Sequence, residues 1–472
     1  MGNRLRSWLG RLEPAHWIAL AAALLLLPRL GLRPPLEPWE SLHVGVAARL
    51  AEDGPGNAFG PVAGEEFYLE RPAAAYWPGA LATKLLGPTP LAARLPVALT
   101  GIVLVWGVFV LVRRARGART AALAAGVAAT TPLLILLYRT ALPAALALAA
   151  SGLAALTLLA AAVDAKAPRY LAWLGWALVG LSFGLGGLPA ALPPLLAVAA
   201  VLVWSGRATA WNSLRPVSGL LAMLAVAAPL CLPALALHGP DALQGFLRPD
   251  IAEESPATDE KLDRKKPDDR MGFDAGLEAL AWGAFPWSAL FPAALVGLAL
   301  RRRRPAGAEE AAAEADEAER RGRDFEFGVL AWGVAAWGTT ALLGDRFHHD
   351  PFGALLPLAV LVGLYLGRKL EGEWSAVDAA LLLAGAGLLL AFHRDVAGGP
   401  RLSLLAAYFS TDHVLPLQPP AWVGRVALLG LGAAVGLALV WRRWRWWMAG
   451  AALAAALAWT LGVLHVVVPP VL

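Results

Sequence analysis

The sequence predicts an all-α membrane protein that crosses the bilayer about thirteen times. Of its 472 residues, 58% are hydrophobic and only 16% are charged, and the mean hydropathy is +0.58. Soluble domains carry roughly 25% charged residues, so this chain has too little polar surface to cover a water-exposed globule. Many apolar runs approach the roughly 20 residues that cross a bilayer, and such runs must be helical because lipid offers no hydrogen-bond partners.

Thirteen apolar runs are long enough to be candidate spans. The first does not read as a cleavable signal peptide, because it is long and ends in Pro28-Arg29 without a small-residue cleavage site. In chain order, the predicted spans are 15–33, 95–112, 120–138, 141–163, 170–187, 189–205, 216–237, 277–300, 326–343, 351–367, 375–392, 421–441 and 446–468.

The distribution of basic residues predicts the orientation of these spans. If the N-terminal tail is cytoplasmic, every inward-facing connection is basic and the short outward ones are nearly uncharged, as the positive-inside rule requires. The C-terminus is then extracytoplasmic. The basic residues that face inward are Arg4, Arg6, Arg11, Arg113, Arg114, Arg116, Arg119, Lys166, Arg169, Arg207, Arg215, Arg301 to Arg304, Arg368, Lys369, Arg442, Arg443 and Arg445.

Residues 1–472 are predicted to form one membrane domain with four longer non-membrane segments. Residues 34–94 form the first extracytoplasmic loop, rich in aromatic residues and prolines, with short helices expected inside it. Residues 238–275 form a charged extracytoplasmic loop, and 393–420 form another outer loop. Residues 301–324 form a charged cytoplasmic segment. Because three of the four lie outside, we expect recognition or chemistry on that face.

Several functional classes are disfavoured by composition. The formal charge of +5 comes from short basic clusters between apolar runs, which is typical of membrane proteins, and we expect no nucleic-acid partner. Cys231 is the only cysteine, so neither an internal disulfide nor a cysteine-based metal cluster can form. The glycines between Gly184 and Gly187 lie at the end of an apolar helix, which disfavours a nucleotide-binding loop.

Glu40 and Glu37 open the first outer loop and are candidate general bases. Pro38 suits the first turn of a helix, which would place Glu40 near that helix's N-terminus. One interpretation is that Glu40 caps the helix and favours its dipole. The other is that a carboxylate above the membrane accepts a proton during catalysis. His43, three residues later, would share a face with Glu40 and could hydrogen-bond to it.

Four arginines fall at or near the outer face, against the positive-inside bias. They are Arg71, Arg94, Arg139 and Arg346. They could be interfacial anchors whose long side chains reach the headgroup region. Alternatively, they form a phosphate-binding cluster, since a guanidinium pairs with phosphate oxygens in a bidentate way.

His348 and His349 lie in a predicted outer turn with Asp350. One interpretation is a divalent metal site, because imidazole and carboxylate are common zinc ligands. Adjacent histidines in a turn rarely point at one ion, and spacing reveals no third ligand. We therefore predict no metal site and no firmly implied cofactor, and assign both histidines to hydrogen bonding with phosphate or sugar.

The order of motifs resembles the family-39-type glycosyltransferases of the GT-C superfamily, which include lipid A aminoarabinose transferases and relatives of protein O-mannosyltransferases. The resemblance runs from residue 37 to about 367. The matching segments are Trp39-Glu40, Tyr68-Leu69-Glu70-Arg71-Pro72-Ala73-Ala74-Ala75-Tyr76-Trp77, Leu86-Gly87, Arg94-Leu95-Pro96, Tyr138-Arg139, Ala284-Phe285-Pro286-Trp287-Ser288, Arg346-Phe347-His348-His349 and Leu356-Pro357-Leu358-Ala359.

The resemblance implies a membrane glycosyltransferase that moves a sugar from a polyprenyl-phosphate donor to a glycan, lipid or protein acceptor. Its active face would be extracytoplasmic, at a bacterial inner membrane. Glu40 or Glu37 would be the base, and the four arginines, His43, Tyr76 and the paired histidines would bind substrate.

The sequence also departs from the family pattern. The family's first-loop aspartate is Trp39 here, Pro143 lies near its second aspartate, and Ala73 replaces the second proline of its Lys-Pro-Pro element. These departures keep open a non-catalytic GT-C protein that binds lipid-linked glycan. A transporter or flippase is disfavoured because the predicted spans hold almost no charges near their centres.

Overall fold

A computed structural model describes residues 13–32, 34–35, 39–206, 208–247, 280–281, 283–299, 310–343, 353–372 and 445–467, with a few single residues between 377 and 388. Several predictions fall outside these residues. They are the site residues Glu37, Arg346, His348 and His349, the outer loop 393–420, most of the loop 238–275, and the span 421–441.

In the described part of the first half of the chain, one apolar helix is followed by a loop of short elements, which was predicted to be the first outer loop, and then by longer helices. The loop contains the expected short helices, and also a small antiparallel hairpin that the sequence did not predict. Its 3₁₀ turns cover Gly54–Asn57 and Ala73–Tyr76. The elements are α1 (Pro14–Leu26), α2 (Trp39–Asp53), β1 (Val62–Ala63), β2 (Glu66–Phe67), α3 (Trp77–Leu86), α4 (Pro90–Ala129), α5 (Pro132–Leu137) and α6 (Ala144–Val163).

The remaining described elements are helical. A 3₁₀ turn, Trp287–Leu290, directly precedes the helix Phe291–Ala299. The helices are α7 (Arg169–Ser205), α8 (Ala208–Leu214), α9 (Pro216–Leu247), α10 (Phe291–Ala299), α11 (Glu310–Leu343), α12 (Leu355–Glu371) and α13 (Arg445–Val467).

Within the described residues, five helices are long and apolar enough to cross a membrane. They are Pro90–Ala129, Ala144–Val163, Arg169–Ser205, Ala210–Leu247 and Glu317–Leu343. Three shorter apolar helices accompany them, at Pro14–Leu26, Trp287–Leu298 and Ala449–Leu461. The nearly all-helical architecture is as predicted, whereas the number of thirteen spans and their orientation stay predictions.

The helix α6 lies at the centre of the core. Of its twenty residues, eighteen are buried, and they are mostly alanine and leucine. Its neighbours are α4, α7 and α11. A helix that is apolar on every side is expected to be enclosed by other helices, and its many alanines allow those helices to approach closely.

Three of the long helices contain a sharp break at a glycine with positive φ. In α4 the break is at Gly117, with φ 79° and ψ 169°, in α7 it is at Gly187, with φ 66° and ψ −158°, and in α9 it is at Gly239, with φ 57° and ψ −130°. Glycine is the residue that adopts such backbone angles without a steric penalty. The break in α4 lies in the gap between two predicted spans, and the break in α7 is at the last residue of the predicted span 170–187. In both helices a pair of predicted spans therefore corresponds, at least in part, to the two arms of one bent element.

Two predicted spans are not continuous helices. The run 120–138 is divided at Thr130 and Thr131, after which Pro132 starts α5. Proline lacks an N–H group and suits the first position of a new helix. Within 277–300, Trp287–Leu290 is a 3₁₀ turn after Pro286, and the following α10 has only nine residues. By contrast, the described part of the segment 301–324, which was predicted to be cytoplasmic, and the predicted span 326–343 form one uninterrupted helix, α11.

Buried charges join the ends of three helices. Arg116 of α4 donates from Nε to Glu326 of α11 at 2.7 Å. Arg368 of α12 lies 3.6 Å from the other oxygen of the same carboxylate. Buried charges are tolerated when they are paired, so Glu326 helps to hold the ends of these three helices together.

Candidate functional site

The predicted base Glu40 lies in a buried ion pair with Arg94. Glu40 is in the first turn of α2, and Arg94 is in the first turns of α4, which Thr89 caps through the N–H of Ala92. The guanidinium donates two bonds to the carboxylate, at 2.6 and 2.7 Å, and the N–H of Ala141 donates a third at 2.7 Å. Glu40 is 2% exposed and Arg94 is 4% exposed. The carboxylate therefore ties α2 to α4 and to the loop before α6.

Arg94 and Arg139 also bind backbone carbonyls around the end of α1. Arg94 donates to the carbonyls of Leu30 and Pro34, at 3.0 and 2.9 Å. Arg139 donates to three carbonyls between residues 25 and 28, at 2.8 to 3.0 Å. The last carbonyls of a helix have no partner within it, and cations suit its negative end. Burial, and then the charge of Arg94, hold the pKa of Arg139 below its ordinary value.

His43 forms a hydrogen bond with Tyr76, whereas the sequence suggested Glu40 as its partner. Nδ1 of His43 lies 2.9 Å from the Tyr76 hydroxyl, and both side chains are buried. Burial, reinforced by the charge of Arg71, lowers the pKa of His43 to about 3. The imidazole is therefore neutral at physiological pH. Burial also raises the pKa values of Tyr76 and Tyr68, whose rings meet edge to face at 6.0 Å between centroids.

Arg71 lies at a cavity of about 90 Å³ that is mostly apolar. Only 7% of the arginine is exposed, and it immediately precedes Pro72 and the 3₁₀ turn that packs against α6 and α7. The walls come from α6, α7, α11 and the residue before α12. The lining residues other than Arg71 are Ala144, Ala147, Leu148, Ser151, Gly186, Pro189, Ala190, Pro193, Trp332, Ala336, Thr340, Leu343 and Gly353. This arrangement combines one cation with an apolar slot between helices.

A second cavity, of about 800 Å³, lies between the hairpin of the outer loop and the end of α9. Its charged lining is predominantly acidic, with Glu65, Glu66, Glu70 and Asp241. Phe67 closes one side by ring contact with His238, at 4.8 Å between centroids. Sequence reasoning missed this cavity, although the Glu65-Glu66 pair in an aromatic loop was a visible signal. Consecutive residues, Glu70 and Arg71, thus line two different cavities.

The structure brings some of the predicted site residues together. Glu40, Arg94 and Arg139 surround the end of α1, while His43 and Tyr76 pair beside a small cavity that Ala141 also lines. Arg71 faces the apolar cavity. Their predicted roles in binding substrate, and that of Glu40 in catalysis, stay predictions. In the portion of the chain that the structure describes, no group of three His, Cys, Asp or Glu side chains is placed to hold a metal ion.

Comparison with known proteins agrees with this architecture. A family model described as dolichyl-phosphate-mannose-protein mannosyltransferase matches residues 70–232, which include Arg71 and much of the apolar cavity. No protein of curated function matches the chain by sequence.

Two solved structures resemble the chain over nearly its whole length. One is ArnT from Cupriavidus metallidurans bound to undecaprenyl phosphate, with 17% identity, a TM-score of 0.65, and coverage of 97% of this chain and 78% of that one. The other is the same ArnT in the apo state, with 17% identity, a TM-score of 0.61, and coverage of 95% and 75%. The chain therefore has the fold of the GT-C glycosyltransferases, and its predicted resemblance to the ArnT and mannosyltransferase type is confirmed.

Proposed function

We propose that this protein is a membrane glycosyltransferase that takes its sugar from a polyprenyl-phosphate donor. The reaction takes place at the extracytoplasmic face of a bacterial inner membrane, and the acceptor is the hydroxyl of a glycan, lipid or protein. The single observation that carries this proposal is the position of Arg71 at the apolar cavity between α6, α7 and α11.

A polyprenyl phosphate has two parts with opposite solvation requirements. Its phosphate is an anion that needs a cation and hydrogen-bond donors, and a guanidinium supplies both. Its isoprenoid chain is apolar and is stabilised by burial among apolar side chains. The cavity offers Arg71 for the first part and alanine, leucine, proline and tryptophan side chains for the second. As sugar transfer proceeds, negative charge grows on the leaving phosphate, and a fixed cation stabilises that charge.

The comparisons support this assignment at the level of fold. The ArnT structure with the higher TM-score is described as bound to undecaprenyl phosphate. The matched mannosyltransferase segment contains Arg71 together with the lining residues contributed by α6 and α7. The ArnT structure and the mannosyltransferase family model both agree with a lipid-linked sugar donor for this chain. Neither comparison identifies the sugar or the acceptor.

A binding measurement tests the role of Arg71. We expect Arg71→Ala to weaken binding of undecaprenyl phosphate by the purified protein at least 10-fold, on the order of 1.5–3 kcal/mol for a charge-assisted bond. Lys84→Ala is the matched control, because Lys84 is an exposed cation in the same outer loop. Equal affinity in the wild type, Arg71→Ala and Lys84→Ala would overturn the proposal.

A second candidate function is supported by the environment of Glu40. The carboxylate is buried and accepts three bonds, from Arg94 and Ala141, so proton transfer to it would require this cluster to rearrange. That observation favours a non-catalytic GT-C protein that binds lipid-linked glycan. An assay of sugar transfer from undecaprenyl-phosphate sugars decides between the two. Turnover in the wild type that Glu40→Gln or Glu37→Gln abolishes supports catalysis, and donor binding without any turnover supports the alternative.

A further inference from the structure

We propose that Trp332 closes the deep end of the apolar cavity and thereby sets how much of the isoprenoid chain the protein encloses next to the phosphate. This inference rests on the proposed function, because it assigns the cavity to the lipid of the donor. We assign a prenyl phosphate to the cavity because the lining combines one cation, Arg71, at one end with mostly apolar side chains along the rest.

Close backbone contacts position Arg71 at one end of the cavity. A Cβ atom on Gly187 would lie 2.1 Å from the carbonyl oxygen of Phe246, and one on Gly245 would lie 2.2 Å from that of Leu69. These two contacts place the break of α7, with the adjoining Gly186, beside the segment that leads into Arg71. Gly186 therefore marks the rim of the cavity.

The opposite level is fixed by Trp332. A Cβ atom on Gly152 of α6 would lie 3.5 Å from the indole carbons Cη2 and Cζ2 of Trp332. Ser151, the neighbour of Gly152, also lines the cavity. Trp332 and Ser151 therefore stand at the same level, across from each other on α11 and α6.

The helical walls give the depth of the cavity. On α6 the lining residues run from Ala144 to Ser151, a rise of about 10 Å. On α7 they run from Gly186, beside the break, to Pro193. On α11 they run from Leu343 down to Trp332, a rise of about 16 Å, so the indole lies at the end remote from the Gly186 rim.

The indole is well placed to act as a floor. Trp332 is 1% exposed and is among the largest fully buried side chains in the described residues. Gly152 admits Leu356, whose Cδ2 would lie 2.5 Å from an added Cβ, and the indole edge packs beside it at van der Waals distance, so the ring occupies the gap between α6 and α11. A prenyl chain that enters past Arg71 meets this ring, and any further units must leave sideways towards the bilayer.

This geometry predicts that affinity levels off with chain length. Each additional buried methylene strengthens binding about fourfold, but only while the chain still fits within the enclosed space. The cavity is far larger than the roughly 10–15 Å³ that a single water needs, yet its helical walls span only about 10–16 Å. A short prenyl chain should therefore fill it.

The test measures dissociation constants of dimethylallyl, geranyl, farnesyl and geranylgeranyl phosphates with the purified full-length protein. In the wild type, we expect affinity to increase with chain length and then level off. In Trp332→Ala the affinity should level off at a longer chain. The phosphate one isoprene unit longer than the wild-type limit should then bind Trp332→Ala 10-fold or more tightly than the phosphate at that limit does. Trp332→Phe keeps an aromatic floor and should keep the wild-type pattern.

A second variant guards against misfolding of Trp332→Ala. Ala336 is buried and lines the cavity one helical turn nearer the rim, so Ala336→Leu should move the levelling to a shorter chain. The proposal is overturned if Ala336→Leu, and Trp332→Ala where it folds, bind the phosphates with the same dependence of affinity on chain length as the wild type. Trp332 would then not limit the enclosed length of the chain. If the wild type binds none of the phosphates, the proposed function fails as well.

Discussion

At the scale of single residues, Glu40 and Arg94 form a buried ion pair with two hydrogen bonds. Removing one partner of a buried ion pair leaves an uncompensated charge, which costs on the order of 3–5 kcal/mol. We expect Glu40→Gln to lower the free energy of unfolding by about 3 kcal/mol, because the buried guanidinium of Arg94 loses the negative charge that it binds at 2.6 and 2.7 Å. Thermal unfolding of the purified protein in detergent measures this change.

Glu52→Gln is the control for that experiment. Glu52 lies on the same helix and pairs with Arg49 at 3.8 Å, but its side chain is 71% exposed. Exposed pairs are worth little, so this variant should unfold within about 0.5 kcal/mol of the wild type. Equal stability of Glu40→Gln and Glu52→Gln would contradict a structural role for Glu40.

His43 gives the outer face a predictable response to acid. Its pKa is lowered by burial from 6.5 to about 3, so between these values the unfolded chain binds a proton that the folded protein does not. Stability contributed by the neutral imidazole is therefore complete above pH 6.5 and declines as the pH falls towards 3. One such proton contributes a slope of up to about 1.4 kcal/mol per pH unit.

We expect His43→Gln to remove this part of the acid sensitivity. The free energy of unfolding should fall less steeply between pH 6 and pH 4 than in the wild type, as measured by denaturant titration at several pH values. His16→Gln, which changes an exposed histidine on α1, should leave the slope unchanged. A wild-type slope in His43→Gln would show that the imidazole does not stay neutral on folding.

Sequence reasoning identified residues of this region more reliably than their partners. It singled out Glu40, Arg71, Arg94 and Arg139, and the structure places Glu40 and Arg94 in a buried ion pair, Arg71 at the apolar cavity and Arg139 at the end of α1. The partners were not predictable, because Arg139 binds carbonyls that precede it by more than 110 residues. Those carbonyls carry no sequence signature, since every residue has one.

At the scale of elements, the break in α7 is a position where a larger residue than glycine is poorly tolerated. Gly187 has φ 66°, and an added Cβ would lie 2.1 Å from the carbonyl oxygen of Phe246. We expect Gly187→Ala to lower the unfolding temperature and weaken prenyl-phosphate binding, because the backbone is strained and the end of α9 must move. Gly117→Ala is matched in φ but has open space around its Cβ position, so it should cost less. A larger loss in Gly117→Ala would contradict this account.

The hydropathy pattern predicted the helical runs better than it predicted how they are interrupted. The apolar stretches 95–112 and 170–187 correspond to arms of α4 and α7, and the gaps between predicted spans contain or adjoin the glycine breaks. The division at Thr130 was missed, because two threonines in an apolar run barely alter its hydropathy. The hairpin Val62–Phe67 was missed because its strands have only two residues each.

At the scale of the whole molecule, the orientation in the membrane remains the prediction with the widest consequences. The protein has one native cysteine, Cys231, which is buried, so single-cysteine labelling needs only Cys231→Ala as a background. We expect Glu65→Cys, in the exposed hairpin turn, to react with an impermeant maleimide in intact cells. Lys166→Cys, in the exposed turn between α6 and α7, should react only after the membrane is opened. The reverse pattern would overturn the topology.

The interruption between α4 and α5 has a consequence for synthesis. Thr460 of α13 donates its hydroxyl to the carbonyl of Thr130 at 2.8 Å, across 330 residues of sequence. At roughly 5–20 residues per second, the ribosome needs on the order of 20–60 seconds to make the intervening chain. Throughout that interval the interruption lacks this donor, in surroundings where an unmet carbonyl costs several kcal/mol. This hydrogen bond therefore forms only after α13 has been made, so a nascent chain that stalls earlier has the carbonyl of Thr130 without the Thr460 hydroxyl.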